Sequence, residues 1–337
     1  MPNCGSQILM CNLPIRFDTY KGCSHHCKYC FVYRKYNIED IKKYETKESL
    51  INFINGKRLK ETEWCDWNIP LHWGGVSDPF QPCERKFKNS LECLKVFAET
   101  KYPFIVSTKA ILPIEEPYFS LFKECNCVFQ VSAVCPTLAR LYEQGASSFE
   151  DRIDMIRKIS KVVKRVVVRC QPYVLELHDE IKKQIPIIAE AGAYGITYEA
   201  MKMQKKVKGM ERNGADYVYP KQILEKKWLE LKDECHKYGL VFLSSENRLR
   251  HLGDSLTCCG CDGLDGFQVN HSNLNYKIHK PEDFYYTKGQ CEGCAMCYKA
   301  LYQRTAFVNI LKNKTFKEIN EEHLNNPKIV KNYLDIK

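Results

Sequence analysis

Short apolar runs rich in β-branched and aromatic residues recur along the 337-residue chain: IPLHWGGV (69–76), PFIVST (103–108), CVFQVSAV (127–134), KRVVVRCQPYV (164–174), AYGITYE (193–199) and LVFLSS (240–245). Runs of this length without apolar/polar alternation read as strands covered on both faces, as in a parallel sheet. Between them apolar residues return every three or four positions, at Phe87, Leu91 and Leu94, at Ile153, Ile156 and Val163, at Ile181, Ile185 and Ile188, and at Leu224, Trp228, Leu231 and Cys235. That spacing lines one face of a helix. With an opening strand at 8–17, the pattern predicts a strand and a helix repeated six or seven times. The expected fold is α/β, a partial (β/α)6-type TIM barrel with a Cys-rich C-terminal extension, and a doubly wound open sheet is the alternative.

Either architecture gathers functional residues in the loops after the C-terminal ends of the strands. Ser77 and Asp78 follow the second strand, Ser107 to Lys109 the third, Ser132 and Cys135 the fourth, Arg169 and Gln171 the fifth, and Tyr198 and Glu199 the sixth. After the first strand comes KGCSHHCKYCFV (21–32), which sets Cys23, Cys27 and Cys30 in a C-x3-C-x2-C array. Beyond about Glu246 the periodicity fails. A barrel over 1–250 and a Cys-rich region with terminal helices over 251–337 are therefore expected.

Composition narrows the chemistry. Hydrophobic residues make up 44% and charged residues 27%, with no apolar run long enough to span a bilayer and no signal-like start, so a soluble cytoplasmic protein without a membrane partner is expected. Thiols in that compartment stay reduced, so 19 cysteines point to metal wherever they cluster. The clusters are Cys23, Cys27 and Cys30, then Cys258, Cys259 and Cys261, then Cys291, Cys294 and Cys297. A net charge of +10 suits an anionic partner such as nucleic acid, although a solvated lysine surface is the simpler reading.

Three thiolates are one short of a closed four-ligand site. Zinc completed by His25 or His26 is one solution. Three thiols within eight residues also suit three corners of a [4Fe-4S] cubane, whose fourth iron is then open to another ligand.

The array, with Tyr29 just before its last cysteine and a barrel strand before it, resembles the radical S-adenosylmethionine superfamily. GGVSDPFQPCE (74–84), STKA (107–110) and the opening KGCSHHCKYC are similar to segments of the branch that contains spore photoproduct lyase and the DNA-repair-photolyase-like radical proteins. The resemblance runs from about Asn12 to Gly253. It implies a [4Fe-4S] cluster on Cys23, Cys27 and Cys30 that binds S-adenosylmethionine, reductive cleavage to a 5′-deoxyadenosyl radical, and hydrogen abstraction from a substrate. It further implies that Gly74 and Gly75 line the methionyl amine, that Tyr29 lies by the adenine, and that Ser132 and Arg169 hold ribose and carboxylate. Ser77, Asp78 and Lys109 join the cofactor pocket on the same grounds. Cys83, Cys135 and Cys170 are candidates to return a hydrogen atom. Electrons would come from an external one-electron donor such as flavodoxin or ferredoxin.

The six C-terminal thiols suggest a second [4Fe-4S] cluster, with zinc as the alternative. The substrate is expected to be a nucleotide in nucleic acid, or else a peptide or small metabolite. A non-catalytic iron-sulfur or zinc protein that binds nucleic acid is the remaining alternative, and it has no use for the GGVSDPFQPCE and STKA segments.

Overall fold

The structure is a computed structural model and describes residues 1–4, 13, 15–34, 37–59, 62, 70–213, 216–255 and 257–267. Seven strands form one parallel sheet in chain order: β1 (Ile15–Phe17), β2 (Leu71–Trp73), β3 (Phe104–Thr108), β4 (Cys127–Ser132), β5 (Arg165–Tyr173), β6 (Gly195–Ala200) and β7 (Val241–Ser244). Asn3–Cys4 adds an antiparallel edge to β1. Sequential order with every neighbour parallel is the arrangement of a β/α barrel and not of a doubly wound sheet. Among the described residues β7 does not pair with β1, so the barrel stays partial, with seven parallel strands, within the six or seven expected.

The register sorts the side chains. Arg16 pairs with His72, His72 with Ile105, Ser107 with Gln130, Ser132 with Arg169, and Arg169 with Thr197. Because paired residues share a face and the face alternates along each strand, these residues line the concave side. The opposite face is apolar and carries the helices. There Phe97 of the helix Asn89–Thr100 stacks on Phe104 with ring centroids 4.1 Å apart and lies 5.5 Å from Trp73. Trp228 of the helix Lys221–Lys237 packs 6.0 Å from Tyr198, which stacks on Phe242 at 5.0 Å.

The helix expected around Phe87 and Leu91 is broken at Lys88, whose φ is +50°. The break lets the first amides of Asn89–Thr100 turn toward Glu84: Ser90 N donates to Oε2 at 2.9 Å and Leu91 N to Oε1 at 2.8 Å. A carboxylate at a helix N-terminus satisfies amides that have no partner within the helix.

Past residue 250 the described chain stays in contact with the sheet, through residues 254–255 and 257–267. Arg165 Nη1 donates to Gly260 O (2.9 Å) and Asp262 O (2.8 Å), and a Cβ on Gly260, at φ +71°, would fall 2.7 Å from Val167 Cγ2. Along β7, Phe242 N donates to Asp254 Oδ2 and Asp254 N to Phe242 O, both at 2.8 Å, while Arg250 Nη1 donates to Ser244 O at 2.6 Å.

Candidate metal centre

Cys23, Cys27 and Cys30 sit in the loop that leaves β1 through the short strand Tyr20–Lys21. Gly22, at φ +86°, turns the chain so closely past its neighbour that a Cβ would lie 2.7 Å from Ile38 O. Cys23 N then donates to Ile38 O at 2.8 Å, and Cys30 N to Cys27 O at 2.9 Å. Cys27 is buried, whereas Cys23 and Cys30 are partly exposed.

Each polar residue of SDPFQPCE holds part of this loop. Ser77 Oγ donates to Tyr20 O at 2.6 Å. Asp78 Oδ2 lies 2.9 Å from His25 Nε2. Gln81 accepts from Ser24 N at 2.9 Å and donates to Gly22 O at 3.0 Å. Glu84 accepts from the Tyr20 hydroxyl, and from Tyr118 at 2.7 Å. STKA closes the set from behind, since Thr108 Oγ1 (2.8 Å) donates to Asp78 Oδ1 and Lys109 N (2.7 Å) to Asp78 Oδ2.

Ser77 and Asp78 are both buried, and their oxygens are engaged by the protein, so both shape the cysteine loop. Burial pushes the Asp78 carboxyl up, but His25 and the amide donors together hold it below the usual carboxylate value. His25 and His26 do not join the thiols. His25 is clamped between Asp78 and Gly145 O (Nδ1, 2.9 Å), and His26 is exposed.

A second cluster went unnoticed in the sequence. Glu143 accepts from Tyr29 OH, accepts from Arg152 Nη1 at 2.6 Å, and has Lys109 Nζ at 3.8 Å. The Arg152 side chain is 0% exposed and also donates to Ser132 O (2.7 Å) and Ser147 O. Lys109 Nζ stands 5.9 Å over the Tyr29 ring. The available signal was Arg152 itself, which interrupts the apolar stripe of Phe149, Ile153 and Ile156 in the helix Phe149–Ile159. A charge on a buried helix face implies a buried partner.

Within the concave face, Arg169 Nη1 donates to Ser107 Oγ at 2.8 Å, and its Nε donates to Gln171 Oε1 at 2.7 Å. Gln171 passes the chain on to Glu199 (2.7 Å) and Ser245 (2.6 Å), and Lys202 Nζ lies 2.5 Å from Glu199. His72 Nε2 is 3.2 Å from Ser107 Oγ. Gly74, at φ +85°, has its amide on Phe17 O, and a Cβ there would lie 2.6 Å from Ser107 O.

Two hydrogen-donor candidates are fully buried. Cys170 alternates with Arg169 and so points into the helix layer, 1% exposed. Cys135 is fully buried at the start of the helix Pro136–Tyr142, within electrostatic reach of Cys170. Both are packing thiols. Cys83 alone of the three is partly exposed, with its thiol pushed up to about 12 by burial and then by Glu84 and Asp78.

Of the second cysteine region, Cys291, Cys294 and Cys297 lie outside the described residues. Cys259 and Cys261 are buried with sulfurs 3.7 Å apart, well beyond a disulfide length of about 2 Å, and Cys258 is partly exposed.

Among the described residues, no three or more His, Cys, Asp or Glu side chains gather around one point as a single ion requires. A cubane instead takes each thiolate on a separate iron. The donor set of the loop fits that group. Burial, with Asp78 next, pushes the Cys23 thiol up to about 12, and burial raises Cys27 to about 11 against the pull of Lys109. Such thiols lose their protons when metal takes up the charge. No helix among the described residues is long and apolar enough to cross a membrane.

No protein-family model matches the chain. Uncharacterised proteins of Mycobacterium tuberculosis and Mycobacterium bovis are each 24% identical over 214 residues, 58% of this chain and 62% of theirs, so the chain spans less than two thirds of these relatives. Among solved structures, a spore photoproduct lyase mutant with bound AdoMet and dinucleoside spore photoproduct superposes with a TM-score of 0.51 at 16% identity, over 68% of this chain and 76% of that one. Spore photoproduct lyase complexed with dinucleoside spore photoproduct gives 0.50 at 17% identity over the same shares. Over that part the chain shares the fold of spore photoproduct lyase, a partial α/β barrel, as the sequence pattern led one to expect.

Proposed function

We propose that the chain is a radical S-adenosylmethionine enzyme whose Cys23, Cys27 and Cys30 hold a [4Fe-4S] cluster. The observation that carries this reading is the clamp, in which Ser77, Asp78, Gln81 and Glu84 converge on residues 20 to 25 and hold three thiols at the mouth of the barrel. A merely packed loop has no need of four buried polar anchors, each of which costs desolvation unless fully paired. The similarity in fold to a lyase solved with AdoMet supports the same reading.

When bound, the cluster and S-adenosylmethionine would together supply a 5′-deoxyadenosyl radical for hydrogen abstraction. The chain's own residues do the rest. Gly75 keeps the strand end small enough for the Arg16 side chain to pass beside it. Tyr29, fixed through its hydroxyl to Glu143 and covered by Lys109, offers a ring of set orientation for the adenine. Ser132 and Arg169 face the interior, where ribose and carboxylate would lie. An external one-electron donor such as flavodoxin or ferredoxin would reduce the cluster.

For the substrate we favour a nucleotide in nucleic acid. Phe31 and Tyr33, each 48% exposed, follow the last cysteine, and Tyr142, 40% exposed, carries Lys28 Nζ at 5.9 Å over its ring. Exposed aromatics with lysines around a catalytic mouth suit bases that stack and phosphates that need countercharge. Anaerobic reconstitution with iron and sulfide, then reduction with S-adenosylmethionine present, tests the reading. Formation of 5′-deoxyadenosine by the wild type and not by Cys27→Ala is expected, and its absence from both would end the proposal.

A further inference from the structure

Arg16 occupies β1 opposite His72 and lies along Gly75, where a Cβ would meet Arg16 Cδ at 3.0 Å and Nη1 at 3.3 Å. Gly75 thus has to be small for the Arg16 side chain to reach the rim. Among the described residues the Arg16 guanidinium makes no hydrogen bond and no ion pair. Its neighbours are otherwise engaged. Arg169 is held by Ser107 and Gln171, and Lys202 by Glu199.

On the concave side Arg16, Arg169 and Lys202 stand around Glu199, with Glu246 and Asp216 in electrostatic reach of Lys202, and with Asp18 in reach of Arg16 but bonded to Val76 N and Ser77 N and not to the guanidinium. Arg169 and Arg16 both act on His72, which burial first and these charges next drive toward the neutral form, so His72 adds no anion and no cation. One guanidinium fork is enough for one carboxylate. Arg169 keeps free N–H groups beyond its three bonds, because a guanidinium has five donors. A second guanidinium in the same low-dielectric interior is costly unless a second anion meets it.

We propose that Arg16, with the remaining donors of Arg169, seats an anionic group of the substrate, a phosphate or carboxylate, inside the barrel beside the cofactor. This rests on the radical-enzyme reading and goes beyond it by naming the substrate's chemistry. The cofactor also carries a carboxylate, so the test must separate the two sources.

The full chain, reconstituted anaerobically, is titrated calorimetrically with inorganic phosphate and separately with S-adenosylhomocysteine. Phosphate should bind with S-adenosylhomocysteine already saturating. Arg16→Met should weaken phosphate about tenfold or more while leaving S-adenosylhomocysteine within about twofold, and Arg16→Lys should fall between. Circular dichroism melts confirm that each variant is folded, and the lysine variant carries the test if the methionine variant is not. Competition between phosphate and S-adenosylhomocysteine, with both weakened by the substitution, would assign the seat to the cofactor and overturn the proposal. So would phosphate binding that is absent in wild type or unchanged in the variants. Failure of the radical reading shows instead as missing 5′-deoxyadenosine, an assay in which phosphate plays no part.

Discussion

Asp78 Oδ2 lies 2.9 Å from His25 Nε2, and both side chains are almost entirely buried. The other ring nitrogen of His25 faces Gly145 O at 2.9 Å, so the ring is held between two acceptors. A buried polar contact therefore joins the cysteine loop to the second strand end. Its value is positional, since a buried polar pair adds little net stability but is costly to break on one side.

Asp78→Ala leaves the donors of Thr108, Lys109 and Phe80 without their acceptor and His25 without its carboxylate neighbour. A loss of about 3 kcal/mol in urea unfolding is expected, together with lower iron uptake on reconstitution. Because the folded carboxyl is held below its usual value, its stabilising contribution is full above the unfolded pKa and disappears as pH falls through the folded one. Acid unfolding of wild type below about pH 4 should therefore steepen where Asp78→Asn stays flat.

Asp18 gives the opposite sign. Burial pushes its carboxyl up to about 6 despite amide bonds from Val76 and Ser77. The folded state then holds a proton that the unfolded state has released, so stability falls as pH rises from about 4 to about 6, by on the order of 2 kcal/mol. Asp18→Asn should flatten thermal melts over that window. The neighbouring Glu45, raised to about 7 chiefly by burial, should carry the remaining decline.

Glu143→Leu strands Arg152 without its carboxylate at 0% exposure, and a loss of about 3 to 5 kcal/mol is expected. Adding Arg152→Met should recover part of it, and a double-mutant cycle by urea unfolding measures the coupling. An additive double mutant would contradict the hub.

Cys170→Ala and Cys135→Ala should lower stability by about 1 to 2 kcal/mol without changing 5′-deoxyadenosine yield, because both thiols belong to the helix layer. Replacing Cys23, Cys27 or Cys30 should instead abolish iron retention and leave the melting temperature of the apoprotein nearly unaltered.

The strands were legible because both faces of each are covered, and an unbroken apolar run survives any detail of packing. The thiol array was legible because its three members are neighbours in sequence. The jobs of Ser77 and Asp78 were not, since they depend on contacts across more than fifty residues, to Tyr20 and His25. The facing of Cys170 was not legible for a related reason. Its place near a strand end was plain, but which face it occupies is fixed by register with Tyr198, a property of the pair and not of the strand.

The last strand carries a consequence for how molecules of this protein meet one another. Among the described residues the parallel sheet does not close, and the rim of an unpaired last strand is a template for any other extended chain. Here Asp254 takes both the amide and the carbonyl of Phe242, and Arg250 takes the carbonyl of Ser244. Two side chains and one amide thus seal the rim against intermolecular strand addition, so a chain cut before residue 250 should self-associate where the longer one stays dispersed.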